Sequence, residues 1–111
     1  MSKQLEDLNQ QYTTLYQQWQ MVVMQKDQYV VQLNEIENAL NELQNIKESH
    51  AYKIAGAIMV KKSKEELEKE LKELKETLEL RIKSLEKQEK TLRDKLSELQ
   101  QKLAKIQSAG A

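Results

Sequence analysis

The sequence has no cysteine, no proline and no phenylalanine, and only two of its 111 residues are glycine. Without cysteine the chain has neither disulfides nor thiolate metal ligands, which is typical of a reducing compartment. Without proline and with so little glycine, long helices meet few intrinsic breaks. Charged residues make up 32% of the chain, and this fraction favours long solvated helices over a compact globular core.

Membrane and nucleic-acid functions have no support in the sequence. No stretch approaches the roughly 20 apolar residues of a membrane span, and no apolar signal core follows Met1. We therefore expect a soluble cytoplasmic protein. The 18 basic and 18 acidic residues leave no basic block that could follow a nucleic-acid backbone.

The sequence also lacks the combinations of residues that form enzyme active sites. The sequence has no nucleophile with a matching base, no glycine-rich phosphate loop and no metal motif. His50 is the only histidine and has no second ligand at a useful spacing, so we interpret it as a solvated residue at a helix end. We predict neither an enzyme nor a cofactor or metal site.

The first half of the chain contains a ladder of residues spaced alternately by three and four. Such spacing forms the a/d seam of a coiled coil and predicts a helix over about residues 3 to 48. Lys26 is the one charged rung, and Trp19 is expected to pack in the core. The members are Leu5, Leu8, Tyr12, Leu15, Trp19, Val22, Lys26, Tyr29, Leu33, Ile36, Leu40 and Leu43.

A second ladder predicts a helix over about residues 64 to 107. Ser63 and Glu66 match a capping box, in which a hydroxyl and a carboxylate each satisfy an unpaired backbone amide. The steps from Leu74 to Leu78 and from Leu78 to Ile82 are both four residues long, and this break in the alternation predicts a stutter between Leu78 and Ile82. The members are Leu67, Leu71, Leu74, Leu78, Ile82, Leu85, Glu89, Leu92, Leu96, Leu99, Leu103 and Ile106.

The segment between the ladders, about residues 51 to 62, has the alternation of a β-hairpin with a tight turn. Residues of one parity on both sides of the turn glycine are predicted to form a single apolar face. They are Tyr52, Ile54, Ile58 and Val60 around Gly56. Because two strands alone are marginal in water, we expect the hairpin to pair with hairpins of other chains. The alternative is a disordered hinge.

A short connection makes the two helices antiparallel. The predicted fold is therefore mainly α: a long antiparallel two-helix coiled coil with one β-hairpin at the helix connection, in a single domain over residues 1 to 111. This arrangement brings Lys26 level with Glu89, the charged rung of the second ladder. We predict an ion pair that fixes the register. The alternative is that both side chains extend unpaired into water.

The first helix has more apolar residues than a two-helix seam needs. Tyr16, Val23 and Val30 recur every seven residues beside the seam. Met21 to Met24 are four consecutive apolar residues about 100° apart around the helix, so they cannot all face one neighbour. We expect Tyr16, Met21, Val23 and Met24 to form an exposed interaction surface suited to varied partners. A third-helix contact in an oligomer is the alternative and stays open for Val30.

Residues 52 to 90 contain three local motifs. They are Tyr52-Lys53-Ile54-x-Gly56, Ile58-x-Val60-Lys61-Lys62 and Leu78-Glu79-x-Arg81-Ile82-x-x-Leu85-x-x-Gln88-Glu89. With the order long helix, hairpin, long helix, these motifs resemble the β subunits of archaeal prefoldins. The single hairpin is similar to the β class, since the α class carries two hairpins.

The resemblance implies an ATP-independent chaperone subunit, or holdase, in a hetero-hexamer of two α and four β subunits. Hairpins would form a β-barrel platform, and the distal coiled-coil tips would hold unfolded polypeptides and pass them to a group II chaperonin. The implied platform residues are Tyr52, Ile54, Gly56, Ile58 and Val60. The implied client contacts are Leu5, Leu8, Tyr12, Leu15, Tyr16, Leu99, Leu103 and Ile106, to which the exposed surface adds Met21, Val23 and Met24.

A different class of protein stays open from the sequence. A structural coiled-coil tether or scaffold would bind one specific folded partner, and its hairpin would be inert. Ile54→Asp or Ile58→Asp would leave the assembly of such a tether unchanged. The same substitutions would dissociate a prefoldin-like oligomer. The mass in solution, alone and with an α-type subunit, separates the two possibilities.

Overall fold

A computed structural model describes residues 2 to 110 and the side chains of residues 3 to 109. The elements are α1 (Ser2–Asn45), β1 (His50–Ala55), β2 (Ile58–Ser63) and α2 (Lys64–Gly110). The predicted mainly α fold, with two long helices and one antiparallel hairpin between them, is confirmed. The assignment of the whole chain to one domain stays a prediction.

The chain divides into two compact units. The described residues of Met1–Asp27 and Lys83–Ala111 form the first, which we call the end unit. Gln28–Ile82 forms the second, which contains both strands and which we call the hairpin unit. Each unit contains a segment of α1 and a segment of α2.

α1 ends at Asn45, three residues earlier than predicted. Lys64 Nζ, at the start of α2, donates hydrogen bonds to the carbonyl oxygens of Gln44 at 3.3 Å and Ile46 at 3.1 Å. The last carbonyls of a helix need such partners. The Lys64 amide also donates to the Ser49 carbonyl at 2.9 Å. The hydrogen bond between Lys64 and Ser49 requires the chain to leave the direction of α1 before Ser49, so α1 ends at Asn45.

α2 begins directly after the serine of the predicted capping box. Ser63 Oγ accepts a hydrogen bond from the Glu66 amide at 3.1 Å, which is the hydroxyl half of the box. Glu65 and Glu66 also place negative charge in the first turn, where the helix dipole favours it. α2 continues to Gly110, slightly beyond its predicted end.

The core of the hairpin unit is a small apolar cluster between the two helices. It consists of Ile36, Leu40 and Leu78, against which Tyr29, Leu33 and Leu71 pack. Leu78 is only 2% exposed. The Arg81 guanidinium lies 5.6 Å from the centre of the Tyr29 ring, a cation–π contact at the edge of the cluster. Burial of each leucine contributes about 1.5 to 3 kcal/mol, so this seam stabilises the unit.

The predicted stutter just after Leu78 is wrong. Leu74 is 48% exposed and does not lie in the seam. Lys75 is half-buried instead, and its Nζ lies 3.8 Å from Glu37 Oε1 on α1. With Lys75 in the seam, the two successive steps of four run from Leu67 to Leu71 and from Leu71 to Lys75, so the stutter lies at Leu71 and not after Leu78. A lysine stem can lie in a seam while its charged end reaches water, so an apolar pattern overlooks it.

In the end unit, the most buried apolar side chains belong to α2. Leu85, Leu96 and Leu99 are buried. By contrast, every ladder residue of α1 from Leu5 to Lys26 is only half-buried. Part of each ladder side chain on α1 therefore stays accessible in this unit.

Candidate interaction surfaces

The hairpin turns through two residues, Gly56 and Ala57. Ala55 pairs with Ile58 across this turn. Gly56 has φ of 62°, a left-handed conformation that glycine adopts at little cost and that two-residue hairpin turns require. A Cβ at this position would meet no atom within 4 Å, so the backbone conformation alone favours glycine.

The prediction of a single apolar face on the hairpin is wrong. Across a two-residue turn, directly opposite residues have numbers of opposite parity, and opposite residues share a face. Ile54 therefore lies beside Met59. One face carries His50, Tyr52, Ile54, Met59, Lys61 and Ser63, and the other carries Ala51, Lys53, Ala55, Ile58, Val60 and Lys62. Large apolar side chains therefore lie on both faces of the hairpin, and each face also carries lysine.

Most of the large apolar side chains of the hairpin are exposed. The exposed fractions are 63% for Tyr52, 74% for Ile54, 63% for Ile58 and 67% for Met59, whereas Val60 is half-buried. The sheet has two strands in the described residues, so both strands have a free edge that can pair with another chain. This surface is typical of an assembly interface.

One carboxylate on α2 holds both strands of the hairpin. Lys53 Nζ on β1 donates to Glu70 Oε2 at 3.1 Å, and Lys62 Nζ on β2 donates to Glu70 Oε1. The hydrogen bond from Lys62, and next that from Lys53, hold the pKa of Glu70 below its ordinary value of 4.5. This bridge fixes the hairpin against α2.

Three aromatic side chains lie along α1 in the end unit. The rings of Tyr12 and Tyr16 are stacked with centroids 6.2 Å apart, and Trp19 lies 5.6 Å from Tyr16. The Tyr12 hydroxyl accepts a hydrogen bond from Gln100 Nε2 on α2 at 3.0 Å. Trp19 is half-buried, and its indole nitrogen is buried without a hydrogen-bond partner in the described residues.

The residues predicted to contact clients differ in their exposure. Tyr16 is 40% exposed, Met21 70% and Met24 63%. Leu99 is only 6% exposed and packs in the seam instead of offering a surface. Val23 is half-buried and not exposed as expected, and Val30 is half-buried too. The other predicted contacts are also half-buried, and they are Leu5, Leu8, Tyr12, Leu15, Leu103 and Ile106. The accessible apolar surface of the end unit is thus centred on Met21 and Met24.

Lys26 and Glu89 are in contact within the end unit. Lys26 Nζ lies 2.7 Å from Glu89 Oε2, and the two side chains are 23% and 17% exposed. The hydrogen bond to Glu89, and then its negative charge, raise the pKa of Lys26 above 10.5. The role of this ion pair in fixing the register stays a prediction.

Residues 2 to 110 hold no cluster of three or more His, Cys, Asp or Glu side chains suited to a metal ion. Over the same range, neither helix is long and apolar enough to span a membrane. His50 is exposed and begins β1, so it does not lie at a helix end as predicted. Its Nδ1 lies 2.8 Å from Ser49 Oγ.

These features define a two-helix coiled-coil subunit with an exposed β-hairpin. The model of the family described as prefoldin subunit matches residues 6–109. The chain therefore belongs to the prefoldin subunit family, a family of non-enzymatic subunits with a chaperone-type role.

Two prefoldin subunits are among the solved structures that are similar to this chain. The crystal structure of the prefoldin beta subunit from Thermococcus strain KS-1 matches with a TM-score of 0.87 and 38% identity, and the match covers 93% of this chain and 91% of that one. The prefoldin beta2 subunit from the same strain matches with a TM-score of 0.73 and 20% identity over 79% and 95% of the two chains, which supports the fold alone. A comparison with curated protein sequences found no significant match. The predicted resemblance to archaeal prefoldin β subunits is confirmed.

Proposed function

We propose that the chain is an ATP-independent holdase that binds unfolded polypeptides on its end unit and passes them to a group II chaperonin. The observation that carries this proposal is the exposure of Tyr16, Met21 and Met24 on α1 in the end unit. Methionine side chains are flexible and polarisable, so they adapt to apolar segments of different shape. Such a surface suits clients that share exposed apolar residues but no sequence.

Binding at one end unit is weak, because its client surface is small. Complete burial of one such apolar side chain contributes about 1.5 to 3 kcal/mol, and ordering a flexible client offsets part of this. Several end units around one client raise the effective concentration of each further contact. Four copies with two α-type subunits would hold a client firmly, and each contact would still release without ATP.

The hairpin would join the subunits of this assembly. Tyr52, Ile54, Gly56, Ile58 and Val60 are the proposed platform residues. The exposed apolar side chains on both faces and the two free strand edges support this role, because each would otherwise remain in contact with water. In the tether alternative, the same exposed side chains would have no partner.

Truncation tests where clients bind. We expect that deletion of residues 1 to 16 or of residues 98 to 111 leaves the assembled oligomer intact and weakens its suppression of aggregation of a denatured protein, because apolar tip residues are lost while Met21 and Met24 remain. Light scattering of the diluted denatured protein measures suppression, and sedimentation measures assembly. Unchanged suppression would contradict the tip model.

Point variants give a sharper test of the same surface. Met21→Ser with Met24→Ser should reduce suppression severalfold without changing the mass of the oligomer. The matched control is Val31→Ser with Leu80→Ser, because Val31 and Leu80 are 56% and 63% exposed but belong to the hairpin unit. Equal losses of suppression in the two double variants would exclude a specific client surface on the end unit.

A substitution in the hairpin tests its proposed role in assembly. Ile54→Asp should dissociate the oligomer, because it places a charge among exposed apolar side chains that meet other subunits. Val31→Asp, which changes an exposed residue away from the hairpin, is the control. If Ile54→Asp leaves the mass unchanged, the tether alternative is favoured.

A further inference from the structure

The two helices of the end unit differ sharply in charge. On α1, residues 8 to 25 contain no aspartate, glutamate, lysine or arginine, whereas eleven of the residues from 83 to 107 on α2 are charged. Both stretches belong to the end unit. Charged side chains keep a surface soluble, so the solubility of this unit depends on α2, and α1 contributes a neutral surface.

Glutamine occupies a regular row on this neutral surface. The g positions of a heptad flank the seam and usually carry glutamate or lysine, which pair with the facing helix. On α1, glutamine recurs at five successive g positions, each directly before an a residue of the ladder, and all five side chains are exposed. We call them the glutamine row, and they are Gln4, Gln11, Gln18, Gln25 and Gln32.

A polar groove opens beside the glutamine row in the end unit. Its volume is about 580 Å³. Its polar lining residues on α1 are Asp7, Gln10, Gln11, Thr14 and Gln18, and Lys95 lines it from α2. These side chains are all exposed. Uncharged hydrogen-bonding groups therefore make up most of the polar lining.

The glutamine row is continuous with the exposed methionine surface. On a helix, residues three and four positions apart are neighbours. Met21, which is 70% exposed, follows Gln18 by three residues and precedes Gln25 by four. A polypeptide that contacts Met21 thus comes within reach of an amide on either side.

The side-chain amide of glutamine matches the peptide group of a protein main chain. Each has a carbonyl oxygen that accepts a hydrogen bond and an N–H that donates one. Folded proteins pair most of their buried main-chain groups internally, whereas an unfolded chain leaves these groups free for other partners. A row of neutral amides can bind such a chain whatever its sequence, and it repels clients of neither charge.

We propose that Gln11, Gln18 and Gln25 bind the main chain of an unfolded polypeptide while Met21 contacts its apolar side chains. The glutamine N–H groups donate to client carbonyl oxygens, and the glutamine carbonyl oxygens accept from client amides. The inference rests on the proposed holdase function and makes the unpaired peptide backbone part of what the end unit recognises. Unfolded and folded proteins then differ for this surface in two features, exposed apolar side chains and free main-chain groups.

Replacement of glutamine by methionine separates the amide from apolar contact. Gln11→Met with Gln18→Met keeps side chains of similar length and removes both amides. The probe is a fluorescein-labelled, unstructured peptide of leucine, serine and glycine, whose binding to the assembled oligomer is measured by fluorescence anisotropy. We expect the affinity to fall about fivefold or more, because two hydrogen bonds are lost.

The matched control uses glutamines of the hairpin unit. Gln28→Met with Gln32→Met changes two exposed residues of the same helix outside the end unit, and it should leave the affinity unchanged. Unchanged or tighter binding by Gln11→Met with Gln18→Met would overturn the proposal, since added apolar surface alone predicts that result.

A change in the peptide supplies the second measurement. N-methylation of the leucine amides removes main-chain N–H groups and keeps every side chain. The unchanged protein should bind the N-methylated peptide severalfold more weakly, whereas the Gln11→Met, Gln18→Met protein should discriminate less between the two peptides. Equal discrimination by both proteins would exclude the glutamine row as the main-chain contact.

The methionine variants distinguish a failure of this inference from a failure of the proposed function. If Met21→Ser with Met24→Ser weakens peptide binding and Gln11→Met with Gln18→Met does not, the holdase proposal stands and main-chain recognition is overturned. If neither double variant weakens binding, both are overturned.

Discussion

The two units are built on the same ladder pattern but bury it to different extents. In the hairpin unit, Ile36, Leu40 and Leu43 of α1 are buried, whereas no ladder residue of α1 is buried in the end unit. The residue types explain the difference. The a positions of α1 are Leu33 and Leu40 in the hairpin unit, whereas three of the four in the end unit, after Leu5, are Tyr12, Trp19 and Lys26. These larger or charged groups fit poorly into the holes of a two-helix seam.

The two units therefore contribute different properties: the hairpin unit is stabilised by its packed seam, and the end unit offers accessible apolar surface. Well-filled leucine seams stabilise the hairpin unit, which also carries the proposed assembly surface. The end unit keeps apolar surface accessible at some cost in packing, which is what reversible binding of unfolded chains requires. A regular heptad pattern therefore predicts where two helices meet, but not how completely they exclude water.

The largest effect should come from the core of the hairpin unit. Leu78→Ala should lower the free energy of unfolding by about 2 to 5 kcal/mol, since it opens a cavity at a 2% exposed site. Leu15→Ala, at a half-buried position of the end unit, should cost less than half as much. Urea unfolding measures both, with Leu80→Ala as the exposed control. Equal losses at Leu78 and Leu15 would remove the contrast between the units.

A smaller effect is expected for the ion pair of the end unit. Lys26→Leu and Glu89→Leu should each destabilise, because each leaves one charge unpaired at the seam, while the double variant should regain stability. We expect a coupling of about 1 kcal/mol in a double-mutant cycle. Additive losses would show that the pair does not fix the register.

The pH dependence of this coupling follows from the raised pKa of Lys26. A pKa that is higher in the folded state means that the contribution is fully present below the ordinary value of 10.5. It is lost as the pH rises through the folded-state pKa. A cycle repeated in strongly alkaline buffer should therefore show less coupling than one at neutral pH.

The smallest effect should come from the bridge that holds the hairpin. Glu70→Gln should lower the melting temperature slightly at neutral pH, because neutral glutamine binds Lys53 and Lys62 less strongly. The pKa of Glu70 is lowered in the folded protein, so its contribution is present above the ordinary value of 4.5 and disappears as the pH falls through the folded-state pKa. The two proteins should melt alike in strong acid, and Glu68→Gln, which changes an α2 carboxylate bonded to Lys72, is the control.

Periodicity predicted what depends on helix geometry. The two ladders gave both helices, the alternation gave the hairpin, and the antiparallel arrangement brought Lys26 level with Glu89. Local chemistry accounts for what periodicity missed. Lys75 displaced Leu74 because a lysine stem packs like an apolar chain, and the large apolar residues on both hairpin faces follow from the turn, whose parity the alternation alone does not reveal.

The candidate client surface could be predicted only in part. Spacing identified Met21 and Met24 because consecutive apolar residues cannot share one face. It also included Leu99, which the structure buries, since a seam residue near a predicted binding region looks the same in sequence whether it is packed or free.

The unpaired indole N–H of Trp19 bears on local opening of the end unit. While the helices are packed, this N–H has no acceptor in the described residues, which costs about 1 to 3 kcal/mol. Fraying of the seam would let water accept the hydrogen bond and recover that energy. Separation of the helices in the end unit would therefore change the surroundings of the only tryptophan, whose intrinsic fluorescence gives a signal of that opening.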